Sequence, residues 1–114
     1  MTDSILQSTK KILGIDPDYD VWDLDIITHI NSVFMTLQQL GVGPEEGFAI
    51  VDDSTTWYDY LGTDKQLNSA RTYMFLRIRL IFDPPGTSYL IESLRKQAEE
   101  IEWRLNVHVD TGER

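Results

Sequence analysis

Residues Ile78 to Glu92 read IRLIFDPPGTSYLIE, with Asp83-Pro84-Pro85-Gly86 standing between two apolar runs of nearly helical period. Neither proline can donate a backbone hydrogen bond. Pro84 also biases Asp83 away from the helical region, and Gly86 removes side-chain restraint. One helix therefore has to stop before this tetrapeptide and another has to start after it. Asp83, Pro84, Pro85 and Gly86 are thus expected to be a structural helix break that fixes the angle between two helices, rather than a chemical site.

Upstream, a long helix is expected from a cap at Asp64 to about Phe82, with Leu67, Ala70, Met74, Ile78 and Ile81 on one stripe and Tyr73, Leu76 and Leu80 on another. A helix that is apolar on two sides belongs at the centre of a domain. Downstream, a last helix is expected over about Thr87 to Asn106. Its Ile91, Leu94, Ala98, Ile101 and Leu105 alternate spacings of three and four, a heptad seam. Glu92 with Lys96, Arg95 with Glu99 and Glu100 with Arg104 are spaced i, i+4 on its outer face, each pair worth about 0.2 to 0.5 kcal/mol. Residues 107–114 are expected to form a mobile tail.

The first half yields two more helices. Ile5, Leu6, Thr9, Ile12 and Leu13 share a stripe, with Thr2 or Asp3 available as N-cap and Gly14 as the stop. After the Asp-Pro linker around Ile15 to Tyr19, Asp20 stands where an N-cap belongs. Leu24, Ile27, Ile30, Phe34, Leu37 and Leu40 then recur at helical spacing until Gly41 closes the run. The stretch GVGPEEGFAIVDDSTTWYDYLG (Gly41 to Gly62) breaks the pattern with glycines, a proline and Asp52-Asp53-Ser54. An irregular loop or short hairpin near residues 42–56 is expected there, followed by a brief helical turn near Thr56 to Leu61. The fold class is all-α, a small bundle of four to five helices forming a single domain over residues 1–114.

Composition narrows the function. The chain has 114 residues, 41% of them hydrophobic and 25% charged, the range of a folded globular domain. It has no cysteine, which rules out disulfides and thiolate metal sites and suits an intracellular protein. Residues 1 to 14 lack the continuous apolar core of a signal peptide, and no apolar run approaches the length of a membrane span. The net charge of -9 is uneven: residues 1–60 hold two cations, Lys10 and Lys11, against eleven carboxylates, whereas residues 61–114 hold eight of each sign. DNA binding uses Lys and Arg to neutralise phosphates, so this balance argues against a conventional nucleic-acid binder.

Reactive groups are sparse. His29 and His108 are the two histidines, and neither sits in a recognisable catalytic motif. Asp52 and Asp53 lack the alternating oxygen donors and closing Glu of an EF-hand, so they read as a solvated turn; no metal and no cofactor is assigned. Trp57, Tyr58 and Tyr60 suggest a stacking platform, but their neighbours Asp52, Asp53 and Asp59 are acidic where nucleic-acid stacking calls for cations. The aromatic segment either folds over its own core or faces a protein partner, and the sequence leaves both open.

The succession DIITHINSVFMTLQQLGVGP (Asp25 to Pro44), GFAIVDDSTTWYDYL (Gly47 to Leu61), YMFLRIRLIFDPP (Tyr73 to Pro85) and IEWRL (Ile101 to Leu105) resembles the head–tail connector, or head-completion adaptor, proteins of tailed bacteriophages and prophages. The resemblance covers nearly the whole chain. It implies a small helical bundle that assembles with itself as a ring, dodecameric in the virion, beneath the portal protein. The ring extends the DNA channel, which DNA passes through without sequence-specific binding, and receives a stopper or tail-completion protein. It implies a location at the virion neck, and in the host cytoplasm during assembly, and it supplies no catalytic residues, so the protein is not expected to be an enzyme. Trp57, Tyr58, Tyr60, Arg95, Trp103 and Arg104 are the interface candidates. Two other classes compete: a small acidic regulator that mimics DNA to bind a basic partner, favoured by the carboxylates of the first half, and a hydrolase using His29 with nearby aspartates.

Overall fold

A computed structural model describes residues 4–82 and 86–110, with the side chains of 107–110 left out. Among the described residues there are five helices and no strand: α1 (Ile5–Ile12), α2 (Asp23–Gln39), α3 (Trp57–Leu61), α4 (Leu67–Phe82) and α5 (Ser88–Asp110). The bundle is all-α, as its periodicity predicts. α4 packs against both α2 and α5, and α1 lies across α2 and α4. Apolar side chains of all five helices enter one core, including Ile5 and Leu6, Ile30 and Leu37, Trp57, Met74 and Ile78, and Ala98 and Leu105.

The helix ends follow local chemistry. α1 and α2 both close through a glycine in the left-handed region, Gly14 at φ 76° and Gly41 at φ 89°. In each case the next residue reaches back along the helix: Ile15 N–H donates to Lys10 O and Val42 N–H to Leu37 O, both at 2.9 Å. This is the Schellman arrangement that glycine makes accessible. The starts agree less well with the sequence reading. Ser4 caps α1 by accepting from Gln7 N–H, whereas Thr2 and Asp3 lie outside the described residues. Trp22 occupies the α2 N-cap position without a side-chain cap bond, two residues after the expected Asp20. Asp64 accepts from Gln66 N–H in a turn ahead of α4.

Residues 42–56 form an irregular loop, not a hairpin; among the described residues their one ladder contact is an isolated bridge between Ser4 and Thr56. The loop is held by side chains that imitate a sheet. Asn31 on α2 donates from Nδ2 to Ile50 O at 3.0 Å and accepts from Ile50 N–H at 2.8 Å, satisfying both backbone groups of a buried residue. Gln38 donates to Glu45 O at 2.8 Å, and Ile5 N–H donates to Thr55 O at 3.0 Å. Gly43 sits at φ 92°, and a Cβ there would stand 2.8 Å from Tyr60 Cε1, so both conformation and space require glycine.

α4 stops at Phe82 and α5 starts at Ser88. Asp83, Pro84 and Pro85 themselves lie outside the described residues, and Gly86 is exposed. α5 runs on to Asp110, four residues past its expected end at Asn106, and 111–114 lie outside the described residues. On α2 the buried face is Ile26, Ile30, Val33, Phe34 and Leu37, while Leu24 is exposed, so the stripe is rotated from the one starting at Leu24. Both stripes share Ile30, Phe34 and Leu37, and α2 packs against α1 and α4 with Ile26 in the common core.

Candidate functional site

The aromatic segment is built by a capping box. Thr56 Oγ1 accepts from Asp59 N–H at 3.1 Å and Asp59 Oδ2 accepts from Thr56 N–H at 2.9 Å, which nucleates the single turn α3. That turn drives Trp57 and Tyr60 inward and leaves Tyr58 outside. Trp57 is only 2% exposed. Its indole N–H donates to Ser8 Oγ on α1 at 2.8 Å. Phe34 meets its ring at 6.1 Å and Phe75 at 6.0 Å, edge-on in the second case. The Arg71 guanidinium lies 5.5 Å over the same ring. Tyr60 packs on Phe34 at 4.6 Å and Phe48 at 5.0 Å, and its buried hydroxyl is held well above the ordinary phenol range by desolvation. Of the two readings open for this segment, the chain adopts the first: Trp57 and Tyr60 close its own core.

The remaining interface candidates are at the surface. Tyr58 is exposed on α3, and Trp103 is 65% exposed on α5. Arg95 pairs with Glu92 at 3.4 Å, three residues before it, and Arg104 pairs with Glu100 at 3.2 Å as its spacing predicts. Trp57 and Trp103 thus lie in opposite environments, and the structure does not bring the interface candidates into one patch.

Two polar clusters escaped the sequence reading. Lys10 is fully buried in α1; its ammonium donates to Pro17 O at 3.1 Å and stands 2.9 Å from Asp23 Oδ1 as a charge pair. It ties the acidic linker to the first turn of α2. A lysine inside an apolar stripe next to an exposed Lys11 carried no signal beyond its place on the helix. The second cluster joins α4 to α5: Tyr73 donates to Glu102 Oε2 at 2.6 Å, and Arg77 donates to the Tyr73 oxygen at 2.9 Å. Burial, reinforced by the Glu102 carboxylate, pushes the Tyr73 phenol up to about 12. Asp52 accepts from the Ser54 hydroxyl and then the Ser54 N–H, which holds its carboxyl below its usual range.

His29 is half-buried on α2, and the side chain of His108 is outside the described ones. Among the described residues, no group of three or more His, Asp and Glu side chains is placed to hold a metal ion, and no helix is long and apolar enough to cross a membrane. An open groove of about 1270 Å³ between α1, the Gly14–Pro17 turn and α4 is lined by Lys11, Ile12, Ile15, Arg71 and Phe75, among others.

What the described residues present is a helical bundle with exposed aromatics and surface ion pairs. Residues 5–112 match the model of the phage connector protein family, and the chain belongs to that family. This bears out the head–tail connector resemblance carried by its sequence and makes it a structural connector of bacteriophage particles. No curated protein matches the chain, and no solved structure does.

Proposed function

We propose that the protein is a head–tail adaptor whose copies form a ring under the portal, extend the DNA channel and present a platform to the stopper or tail-completion protein. The observation that carries this reading is the family match over residues 5–112. The charge distribution supports it. From residue 12 to residue 64 the chain has no Lys or Arg, and a channel surface rich in carboxylates lets DNA slide without gripping its phosphates. Tyr58, Arg95, Trp103 and Arg104 are the accessible residues for contacts with portal, stopper or neighbouring copies. Trp57 and Tyr60 act indirectly by fixing the surface around them.

The test is electron microscopy and co-sedimentation of the full chain with its cognate portal, alongside a phage lacking the gene. Joining of the chain to portal complexes, and heads without tails in the knockout, are expected. A protein that stays free of portal, with a knockout that still joins heads to tails, overturns the proposal.

A further inference from the structure

Among the described residues, four of the twelve exposed large apolar side chains, Tyr19, Val21, Trp22 and Leu24, fall within six consecutive positions, and such clustering marks a contact surface where scattered exposure would not. Val21 is 63% exposed and Leu24 76%. They are interleaved with carboxylates: Asp16 to Asp25 reads DPDYDVWDLD, with five aspartates and no cation. The segment is nonetheless firmly built. Tyr19 N–H donates to Asp16 O at 3.0 Å and Asp23 N–H to Asp20 O at 3.2 Å, two turns in succession. Lys10 on α1 holds Pro17 O and Asp23, and the Trp22 ring meets Phe82 of α4 edge-on at 5.9 Å. The exposed side chains are therefore carried on a fixed frame, and binding through them costs little chain entropy.

Charge selects the partner. Lys10 answers Asp23, but among the described residues no cation pairs with Asp18, Asp20 or Asp25, and Arg79, exposed three residues before Phe82, forms no ion pair with them. Unanswered carboxylates repel the phosphates of nucleic acid and of anionic lipid alike. The apolar side chains between them need a surface that also removes them from water, which a small cation does not provide. A protein surface with basic side chains around an apolar patch meets both demands, and tryptophan and tyrosine are the residues that anchor such contacts. We infer that residues 16–25 are a docking segment for a protein surface on which lysine or arginine side chains surround an apolar patch. This goes beyond the ring reading proposed above and does not depend on it.

The test is a titration of the full chain, labelled with nitrogen-15, by an amphipathic peptide of lysine and leucine, followed by amide NMR. The largest shifts are expected within residues 16–25 and are expected to shrink as salt is added. The same peptide with serine in place of leucine should bind about tenfold more weakly, and so should the parent peptide to Val21→Ser with Leu24→Ser, two exposed positions where the circular dichroism spectrum should not change. Trp22 is left in place because it packs on Phe82. Asp18→Asn with Asp20→Asn and Asp25→Asn is expected to weaken binding and remove most of its salt dependence, whereas Glu45→Gln with Glu46→Gln, exposed acids outside the segment, should change neither. Absent binding, shifts centred elsewhere or spread over all the carboxylates, or equal affinity for the serine peptide overturns the inference. So do comparable shifts in residues 16–25 with duplex DNA or phosphatidylserine vesicles, and so do shifts there when the chain alone is diluted, which would make a second copy the occupant.

Discussion

Trp57 and Trp103 are the same large aromatic, yet one is sealed beneath a capped turn and the other stands in solvent on a helix. Trp57 has Ser8, Phe34, Arg71 and Phe75 around it, drawn from three different helices. Trp103 is carried by a helix whose seam is already filled by Ala98, Ile101 and Leu105. An aromatic in a loop that has no other apolar cover is recruited to the core, because burying it contributes several kcal/mol. An aromatic on the back of an amphipathic helix has no core left to enter, so it stays available for a partner.

The contrast can be broken at several points. Trp57→Ala is expected to have the largest effect, a loss of about 3 to 5 kcal/mol in urea unfolding, since it opens a cavity shared by α1, α2 and α4. A cost under about 1 kcal/mol would mean the loop is not closed over the core in solution. Lys10→Ala should cost about 3 kcal/mol, because Pro17 O loses its donor and Asp23 keeps a half-covered charge without a partner. Thermal melts of this variant and of Lys11→Ala, at an exposed position, separate the buried ammonium from a mere change in net charge. Asn31→Ala is expected to cost about 2 kcal/mol by leaving both backbone groups of Ile50 unpaired, with faster amide exchange confined to residues near Ile50.

The α4–α5 junction gives a pH test. The Tyr73 phenol rises from its ordinary 10.0 to about 12 in the folded chain, so the unfolded state releases its proton first. Its stabilising contribution is therefore complete below pH 10 and lost as pH climbs towards 12. Unfolding followed by circular dichroism across this range should show a shallower fall in Tyr73→Phe than in the parent chain. The smallest effect is expected for Trp103→Ala, within about 0.5 kcal/mol of the parent in stability, with any defect confined to assembly.

Much of the fold was legible because it is written in local chemistry. Gly14 and Gly41 end helices through their own backbone freedom, and the apolar spacing of Ala70, Met74 and Ile78 or of Ala98 and Leu105 marks a buried face whatever the neighbours are. The candidate site was less legible. Asp59 capping Thr56 is a four-residue signal that could have placed α3, but its consequence for Trp57 depends on Ser8 and Phe75, 49 and 18 residues away along the chain. Lys10 reads as a surface cation until Asp23 and Pro17 are brought to it.

By itself, then, the sequence determined the helical class, the break between Phe82 and Ser88, the acidity of the first half and the connector family. Only the tertiary structure decided which side of α2 faces inward, that Trp57 and Tyr60 close the core while Tyr58 and Trp103 do not, and that Asn31 rather than a second strand holds Ile50. The reason is that helix periodicity and capping involve residues within a turn or two of each other, whereas the direction in which a face or a loop aromatic is buried is set by which distant helix arrives to cover it.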